Sequence, residues 1–139
     1  MVSEGVIRFS YTLQDGVAPT TDLADMLSHW RSALYTRESI GGDLSRYGAY
    51  YGNISVRVGP PDRAEGAREF VVSCTQTGDD PYPAADCYCR VIQYSHAKNH
   101  VLATGPCAPS SESLTHAAMY DASPAVRAIV HGHDAVLWN

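Results

Sequence analysis

Short apolar runs separated by glycine, proline and polar turns recur along this chain, and they constrain its fold more than any other feature. Apolar or alternating runs of about 4 to 8 residues between turn signals are typical of β-strands. They cover residues 7–11, 54–58, 69–74, 87–94, 100–104 and 128–131. Two segments, residues 22–38 and 113–122, show helical spacing instead. Mixed strands and helices in one short chain predict an α/β or α+β domain.

The first helical segment has an apolar stripe. Its members are Leu23, Met26, Leu27, Trp30, Ala33 and Leu34. A stripe of this kind usually packs on the core, although an exposed binding surface gives the same pattern. We therefore predict that this stripe is buried.

The bulk composition favours one globular domain. A chain of 139 residues leaves little room for two domains, so we treat residues 1–139 as one, with residues 1–21 as an N-terminal extension that carries a short strand. The net charge of −5 and the scattered basic residues argue against nucleic acid as a partner. With no secretory segment at the start and no apolar stretch long enough for a bilayer, we expect no membrane partner and a cytoplasmic location.

Four cysteines, Cys74, Cys87, Cys89 and Cys107, lack the paired CxxC spacing of a zinc framework. In a chain without export signals, reduced thiols packed as small hydrophobic groups are the commoner state. We expect all four to be reduced, with disulfides as the alternative.

His131 and His133 lie one residue apart at the end of a predicted strand. Alternate residues of an extended chain point to the same side, so both imidazoles can reach one ion. The alternative is a pair of histidines with no ligand role. Glu112 favours the metal site, because metal-assisted chemistry needs a carboxylate as ligand or proton acceptor.

Ser110 and Ser111 precede a predicted helix, where free backbone N–H groups favour an anion. Serine is also an ordinary helix cap, so this signal is ambiguous. Asn53, Thr77 and Gly78 are groups that could complete a phosphate or carboxylate pocket, although each also suits a routine turn.

Taken together, these segments resemble class II aldolase/adducin domains in their order and spacing, over roughly residues 22–139. The motifs that carry the resemblance are Gly52-Asn53-Ile54-Ser55-Val56-Arg57, Thr75-Gln76-Thr77-Gly78, Pro109-Ser110-Ser111-Glu112, His116, Tyr120 and His131-Gly132-His133. The resemblance implies a three-layer α/β/α domain around a largely antiparallel sheet, usually assembled as a homotetramer. It also implies Zn²⁺ or another divalent ion and a substrate that is a sugar phosphate or a related anionic hydroxy-carbonyl compound.

The resemblance also implies roles for particular residues. Glu112 matches the general acid/base and approaches the metal when substrate is absent, while His131 and His133 match metal ligands. The groups that match the phosphate pocket are Asn53, Thr77, Gly78, Ser110 and Ser111. We interpret His116 as a residue that packs the helix or supports the site from behind, and not as a ligand.

Three departures from the family pattern bear on activity. The family usually has a third histidine ligand well after the H-x-H, and this sequence stops six residues after His133, so we expect a C-terminally shortened domain. The Tyr50-Tyr51 pair and Gln76 replace smaller or different residues and are expected to reshape the pocket.

The leading hypothesis is a metal-dependent aldolase-type lyase that works through an enediolate. The alternatives are an epimerase or dehydratase, a non-catalytic adducin-like assembly domain, and a metal-dependent small-molecule binder.

Overall fold

The computed structural model describes residues 6–42, 45 and 48–138, and residues 1–5, 43, 44, 46, 47 and 139 of the expected domain lie outside it. Six strands form one sheet: β1 (Ser10–Gln14), β2 (Asn53–Arg57), β3 (Phe70–Ser73), β4 (Tyr88–Ser95), β5 (His100–Thr104) and β6 (Ala128–His131). The helices are α1 (Thr21–Thr36), α2 (Ser113–Ala122) and the four-residue α3 (Ala135–Trp138), with a 3₁₀ turn at Ala85–Cys87. Within these described residues no helix has the length and apolar character needed to cross a membrane.

The sheet is mixed, with the strand order β1-β5-β4-β3-β2-β6. β1 pairs with β5 in parallel, and the other four pairings are antiparallel. The α/β class expected from the sequence is confirmed. The finer expectation of three layers around a largely antiparallel sheet stays a prediction, because the sheet is mixed.

The two faces of the sheet carry separate apolar clusters. Val71 packs with Ala24 and Leu27 of α1, whereas its neighbour Val72 belongs to the cluster that contains Ala117 and Tyr120 of α2. Successive residues of a strand point to opposite faces. The helices α1 and α2 therefore cover opposite faces of the sheet.

Helix α1 begins at the predicted position, but its inward face differs from the predicted apolar stripe. Thr20 caps the helix by accepting a hydrogen bond from the Leu23 N–H. The buried residues are Ala24, Leu27, Ser28 and Arg31. Met26 and Trp30 are 42% and 61% exposed, so the prediction that the whole stripe is buried was wrong. The inward face is partly polar because it contacts a loop, residues 77–83, as well as the sheet.

The N-terminal strand is shifted relative to the prediction. β1 begins at Ser10, and all five of its residues are exposed because it lies at the edge of the sheet. Only Phe9 and Ile7, just before the strand, pack against the core, and Tyr11 is exposed. The predicted half-buried alternation was therefore wrong beyond Phe9.

The structure joins Cys74 and Cys107 in a disulfide, so the expectation of four reduced thiols was wrong for these two. Cys87 and Cys89 are free. Cys74 follows β3 and Cys107 follows β5, and the adjacent backbone is also bonded across this gap, with the Thr75 N–H donating to the Ala108 carbonyl at 3.0 Å. The disulfide therefore ties the segment after β3 to the segment that leads into α2.

Candidate functional site

Three loop segments meet with the end of β6 at one end of the sheet. Asn53, the first residue of β2, lies opposite His131, the last residue of β6. Because β2 and β3 are antiparallel, the end of β3 lies beside the start of β2. The disulfide brings the start of α2 to the same place. The sequence motifs that are far apart in the chain are therefore neighbours in space.

A cleft opens between these segments, with about 370 Å³ of space between atoms when its open mouth is included. Its walls are formed by Tyr50, Tyr51, Gly52, Asn53, Cys74, Thr75, Gln76, Thr77, Gly78, Ser110, Ser111 and Glu112. The five residues predicted to bind an anion all line it, together with Glu112. The structure thus brings these six candidates together, and their roles in binding stay predictions.

Two glycines allow the backbone to pass close to neighbouring groups at this cleft. Gly52 has a φ of +87°, and a Cβ there would lie 2.6 Å from Ile40 Cγ1. A Cβ on Gly78 would collide with the side chain of Tyr50. Any larger residue at either position would displace the walls of the cleft.

Two of the candidate anion-binding hydroxyls also make local bonds. Thr77 Oγ1 donates to the Cys74 carbonyl at 2.8 Å, and Ser110 Oγ accepts from the Glu112 N–H at 3.3 Å. These are the turn and capping roles that the sequence left open for them. Thr77 has already used its hydroxyl hydrogen, so it can offer an anion only its backbone N–H.

The carboxylate and the two histidines lie at the rim of the cleft. Glu112 Oε2 is 3.9 Å from His131 Nδ1, and both side chains are about one third exposed. The rings of His131 and His133 have centroids 5.2 Å apart. The His133 ring stacks on Tyr51 at 4.7 Å, and its backbone N–H donates to the Ser39 carbonyl at 2.8 Å.

The fit of these three residues to a divalent ion is partial. Two imidazoles and a carboxylate are a donor set that such ions accept, and ligand atoms about 2.1 Å from one tetrahedral ion lie about 3.4 Å apart. The 3.9 Å between Glu112 and His131 is near that spacing. In the part of the chain that the structure describes, however, no group of three or more His, Cys, Asp or Glu side chains is arranged to hold a metal. Glu112 and His131 therefore lie near the spacing of two ligands of one ion, but the lone pair of His131 Nδ1 accepts a hydrogen bond from the Asn53 amide here, and the described residues form no closed three-residue ligand set.

A line of buried hydrogen bonds runs from the core to the site. Tyr120 and His116 Nδ1 both bond to Ser55 Oγ, at 2.8 and 2.6 Å, and His116 Nε2 donates to Asn53 Oδ1. The amide nitrogen of Asn53 then donates to His131 Nδ1 at 3.3 Å. Both ring nitrogens of His116 are therefore engaged by protein groups, as expected for a packing residue.

His116 is 1% exposed, and burial lowers its pKa to about 4, with a smaller contribution from His131. The ring is consequently neutral at pH 7 and carries one N–H. Since that hydrogen lies on Nε2, Nδ1 must accept from the Ser55 hydroxyl. These buried hydrogen bonds thus fix the side-chain rotamer of Asn53 on the side away from the cleft.

Two contributors to the site escaped the sequence interpretation. Ser55 is one of them: strand alternation puts it on the same face of β2 as Asn53, and it bonds to His116 and Tyr120, which are four residues apart on one face of α2. That spacing was a usable signal. Arg31, which bonds to the Thr77 carbonyl from behind the cleft, lay on a helix where only apolar residues were counted.

A cleft of hydroxyl, amide and carboxylate groups beside two histidines, at one end of a mixed sheet, makes this an α/β domain with a candidate site for a small polar molecule. The chain matches the model of the Class II Aldolase and Adducin N-terminal domain over residues 43–138, and it belongs to that family. The matched stretch begins after α1, later than the resemblance suggested. No curated protein and no solved structure matches the chain. The family includes non-catalytic adducins, so membership alone does not decide activity.

Proposed function

We propose that this domain is a metal-dependent aldolase-type lyase that acts on a phosphorylated or otherwise anionic hydroxy-carbonyl compound. The observation that carries the proposal is the position of Glu112: it lines the cleft with the five candidate anion-binding residues, and its carboxylate lies 3.9 Å from His131. A proton acceptor, a candidate metal ligand and an anion pocket are thus within reach of one small molecule.

The anionic end of the substrate would bind at the inner part of the cleft. Ser110 and Ser111 lie just before α2, a helix of 10 residues whose N-terminal end carries partial positive charge, although the N–H groups of Glu112 and Ser113 already bond to Ser110. The peptide of Thr77 and Gly78 forms the opposite wall. Helix N-termini and glycine-containing loops favour anions because their backbone N–H groups carry partial positive charge.

The reacting end would lie at Glu112. His131 and His133 would hold the divalent ion, with Glu112 close to it when substrate is absent, and the ion when bound would stabilise the negative charge that develops as the carbon–carbon bond breaks. Glu112 would accept the proton of the hydroxyl that becomes a carbonyl, and would return it to the enediolate carbon. Asn53 would be held in place for the substrate by the buried line through His116.

The proposal is tested by Glu112→Gln and by the double variant His131→Ala/His133→Ala, with His29→Ala on exposed α1 as the control. Metal content is measured by elemental mass spectrometry, and turnover is measured on a panel of phosphorylated ketoses and hydroxy acids. We expect near one ion per chain in the wild type and the control, retained without turnover in Glu112→Gln, and lost in the double variant. Unchanged metal content in the double variant would contradict the metal site, and an active Glu112→Gln would exclude Glu112 as the base.

The main alternative is a non-catalytic, adducin-like assembly domain. It is favoured by the incomplete ligand set in the described residues and by the local bonds of Thr77 and Ser110. A protein that is metal-free and cannot be reloaded would support it. Metal binding without turnover would instead indicate a small-molecule binder, and product analysis separates a lyase from an epimerase or dehydratase.

We also propose that the protein forms a homo-oligomer, a tetramer by family resemblance. Its support is the exposed Met26 and Trp30 of α1, because large exposed apolar groups are common at interfaces.

A cytoplasmic location stays a proposal. The Cys74–Cys107 disulfide counts against the reduced-thiol argument for it, since disulfides are rare in reducing compartments.

A further inference from the structure

Arg31 is a fully buried cation behind the cleft. It lies on the inward face of α1 and is 0% exposed. Among the described residues, no carboxylate lies within ion-pair distance of its guanidinium. Buried charges are ordinarily paired, so a cation in this position requires an explanation.

Within the part of the chain that the structure describes, the guanidinium bonds only to backbone carbonyls. Its Nη2 donates to the Thr77 carbonyl and its Nε donates to the Asp80 carbonyl at 3.3 Å, while Nη1 is buried with no hydrogen-bond acceptor. Burial lowers the pKa of Arg31, and Tyr88, Asp80, Cys87 and Asp79 counteract this in part. An arginine side chain nevertheless stays protonated at neutral pH.

Helix α1 holds the same loop at further points. Ser28 Oγ donates to the Pro83 carbonyl at 2.6 Å, and the Tyr82 hydroxyl donates to the Asp25 carbonyl at 3.3 Å. The segment from Thr77 to Pro83 is therefore fixed against α1, with Thr77 and Gly78 at its cleft side. The position of these two residues depends on the helix behind them.

The bond to Thr77 also orients a peptide group. In a trans peptide the C=O and the following N–H point in opposite directions. Because the Thr77 carbonyl points toward Arg31, the N–H of Gly78 points away from it, and both residues line the cleft. The guanidinium of Arg31 thus lies at the negative, carbonyl end of the Thr77–Gly78 peptide dipole, and the positive N–H end points away from Arg31.

We propose that Arg31 is a positioning and specificity-determining residue of the cleft. It fixes the Thr77–Gly78 peptide, and its buried charge selects a ligand whose phosphate or carboxylate group compensates that charge from the cleft side. In low-dielectric surroundings such compensation is stronger than it is in water. The inference deepens the proposed function and rests on its anion pocket, while it does not depend on metal or turnover.

The test compares Arg31→Lys with Arg31→Gln, since both lose the fork of donors and only Lys keeps the charge. Arg37→Gln, at the exposed end of α1, is the control with the same charge change. Binding of inorganic phosphate is measured by calorimetry. We expect unchanged affinity in Arg37→Gln, and affinity in Arg31→Gln about tenfold or more below that of Arg31→Lys. Equal affinities in the two Arg31 variants would overturn the charge role.

A second measurement uses the unaltered protein and does not require the variants to fold. Nitrogen-15 NMR of the arginine side chains is followed as phosphate is added. We expect the Nε–H signal of Arg31 to shift with saturation and that of Arg37 to stay in place. A wild type that binds phosphate without any shift at Arg31 would refute the inference and leave the proposed function standing. A wild type that binds no phosphate would refute both, whereas Arg31-dependent binding without lyase activity would refute only the proposed function.

Discussion

His116 illustrates how a buried residue outside the cleft can support a residue that lines it. Its two ring nitrogens connect the Ser55 hydroxyl to the Asn53 amide, and the ring stacks near Phe70. Protonating it would place a charge in the core and would remove the acceptor at Nδ1. Both effects oppose the charged form, in agreement with the lowered pKa.

We expect the protein to lose stability as the pH falls from about 6.5 toward 4. The folded pKa of His116 is about 4, and the unfolded value is about 6.5, so the unfolded chain binds more protons in that window. The loss from this residue should reach roughly 2 to 3 kcal/mol at about pH 4.5. Urea unfolding at pH 7 and at the lower pH measures it.

His116→Gln removes the titrating group while it keeps polar atoms in the line of hydrogen bonds. Its free energy of unfolding should be lower at pH 7 but should change less with pH than that of the wild type. His29→Ala, an exposed histidine on α1, should keep the pH dependence of the wild type. An identical pH dependence in His116→Gln and wild type would contradict the assignment.

At the residue scale, the sequence predicted which candidate residues lie together where the signal was a motif, while their roles stay predictions. Glu112, Ser110 and His131 could be grouped because the order and spacing of their motifs resemble those of class II aldolase/adducin domains. The contribution of Arg31 could not be predicted, because a stripe defined by apolar residues does not indicate that a cation on the same helix is buried.

At the scale of elements, the sequence predicted regular segments better than their environments. β5, α2 and β6 have the predicted bounds, since turn residues mark both ends of each. β1 was misplaced because its neighbour in the sheet is β5, distant in the chain, and that pairing puts the strand at an exposed edge. The order of strands in a sheet depends on tertiary contacts, and the alternation of apolar and polar residues within one strand does not predict it.

The disulfide is the element-scale feature with the largest expected effect on stability. Cys74 and Cys107 are 33 residues apart, and closing a loop of that length in the unfolded chain corresponds to about 3 to 4 kcal/mol. The variant Cys74→Ser/Cys107→Ser should lose about this much free energy of unfolding, measured in urea without reductant.

Cys87→Ser, which removes a free thiol near the same strands, is the control and should leave the reductant effect unchanged. Adding a reductant to the wild type should lower its stability toward that of the double variant. A wild type that loses no stability when fully reduced would contradict this prediction.

For the whole molecule, the exposed apolar groups of α1 point to self-association. Trp30 is 61% exposed beside Met26, on the face of α1 turned away from the sheet. Trp30→Glu should therefore shift the protein toward smaller species in light scattering, because a charge would be buried in the contact. Met119→Glu, at an exposed apolar residue of α2, is the matched control. A monomeric wild type, or an equal shift in the control, would contradict the assignment of the interface to α1.

The buried line from Tyr120 to His131 also has a direction. Ser55, His116 and Asn53 each give one hydrogen and receive one, so the amide of Asn53 cannot turn over alone. The imidazoles of His116 and His131 would both have to exchange tautomers, and the hydroxyl groups of Ser55 and Tyr120 would have to rotate with them. A ligand that favours the reversed orientation of the Asn53 amide therefore reverses every hydrogen bond in this line. Its binding would be detectable at the hydroxyl group of Tyr120, a residue of α2 that the ligand does not contact.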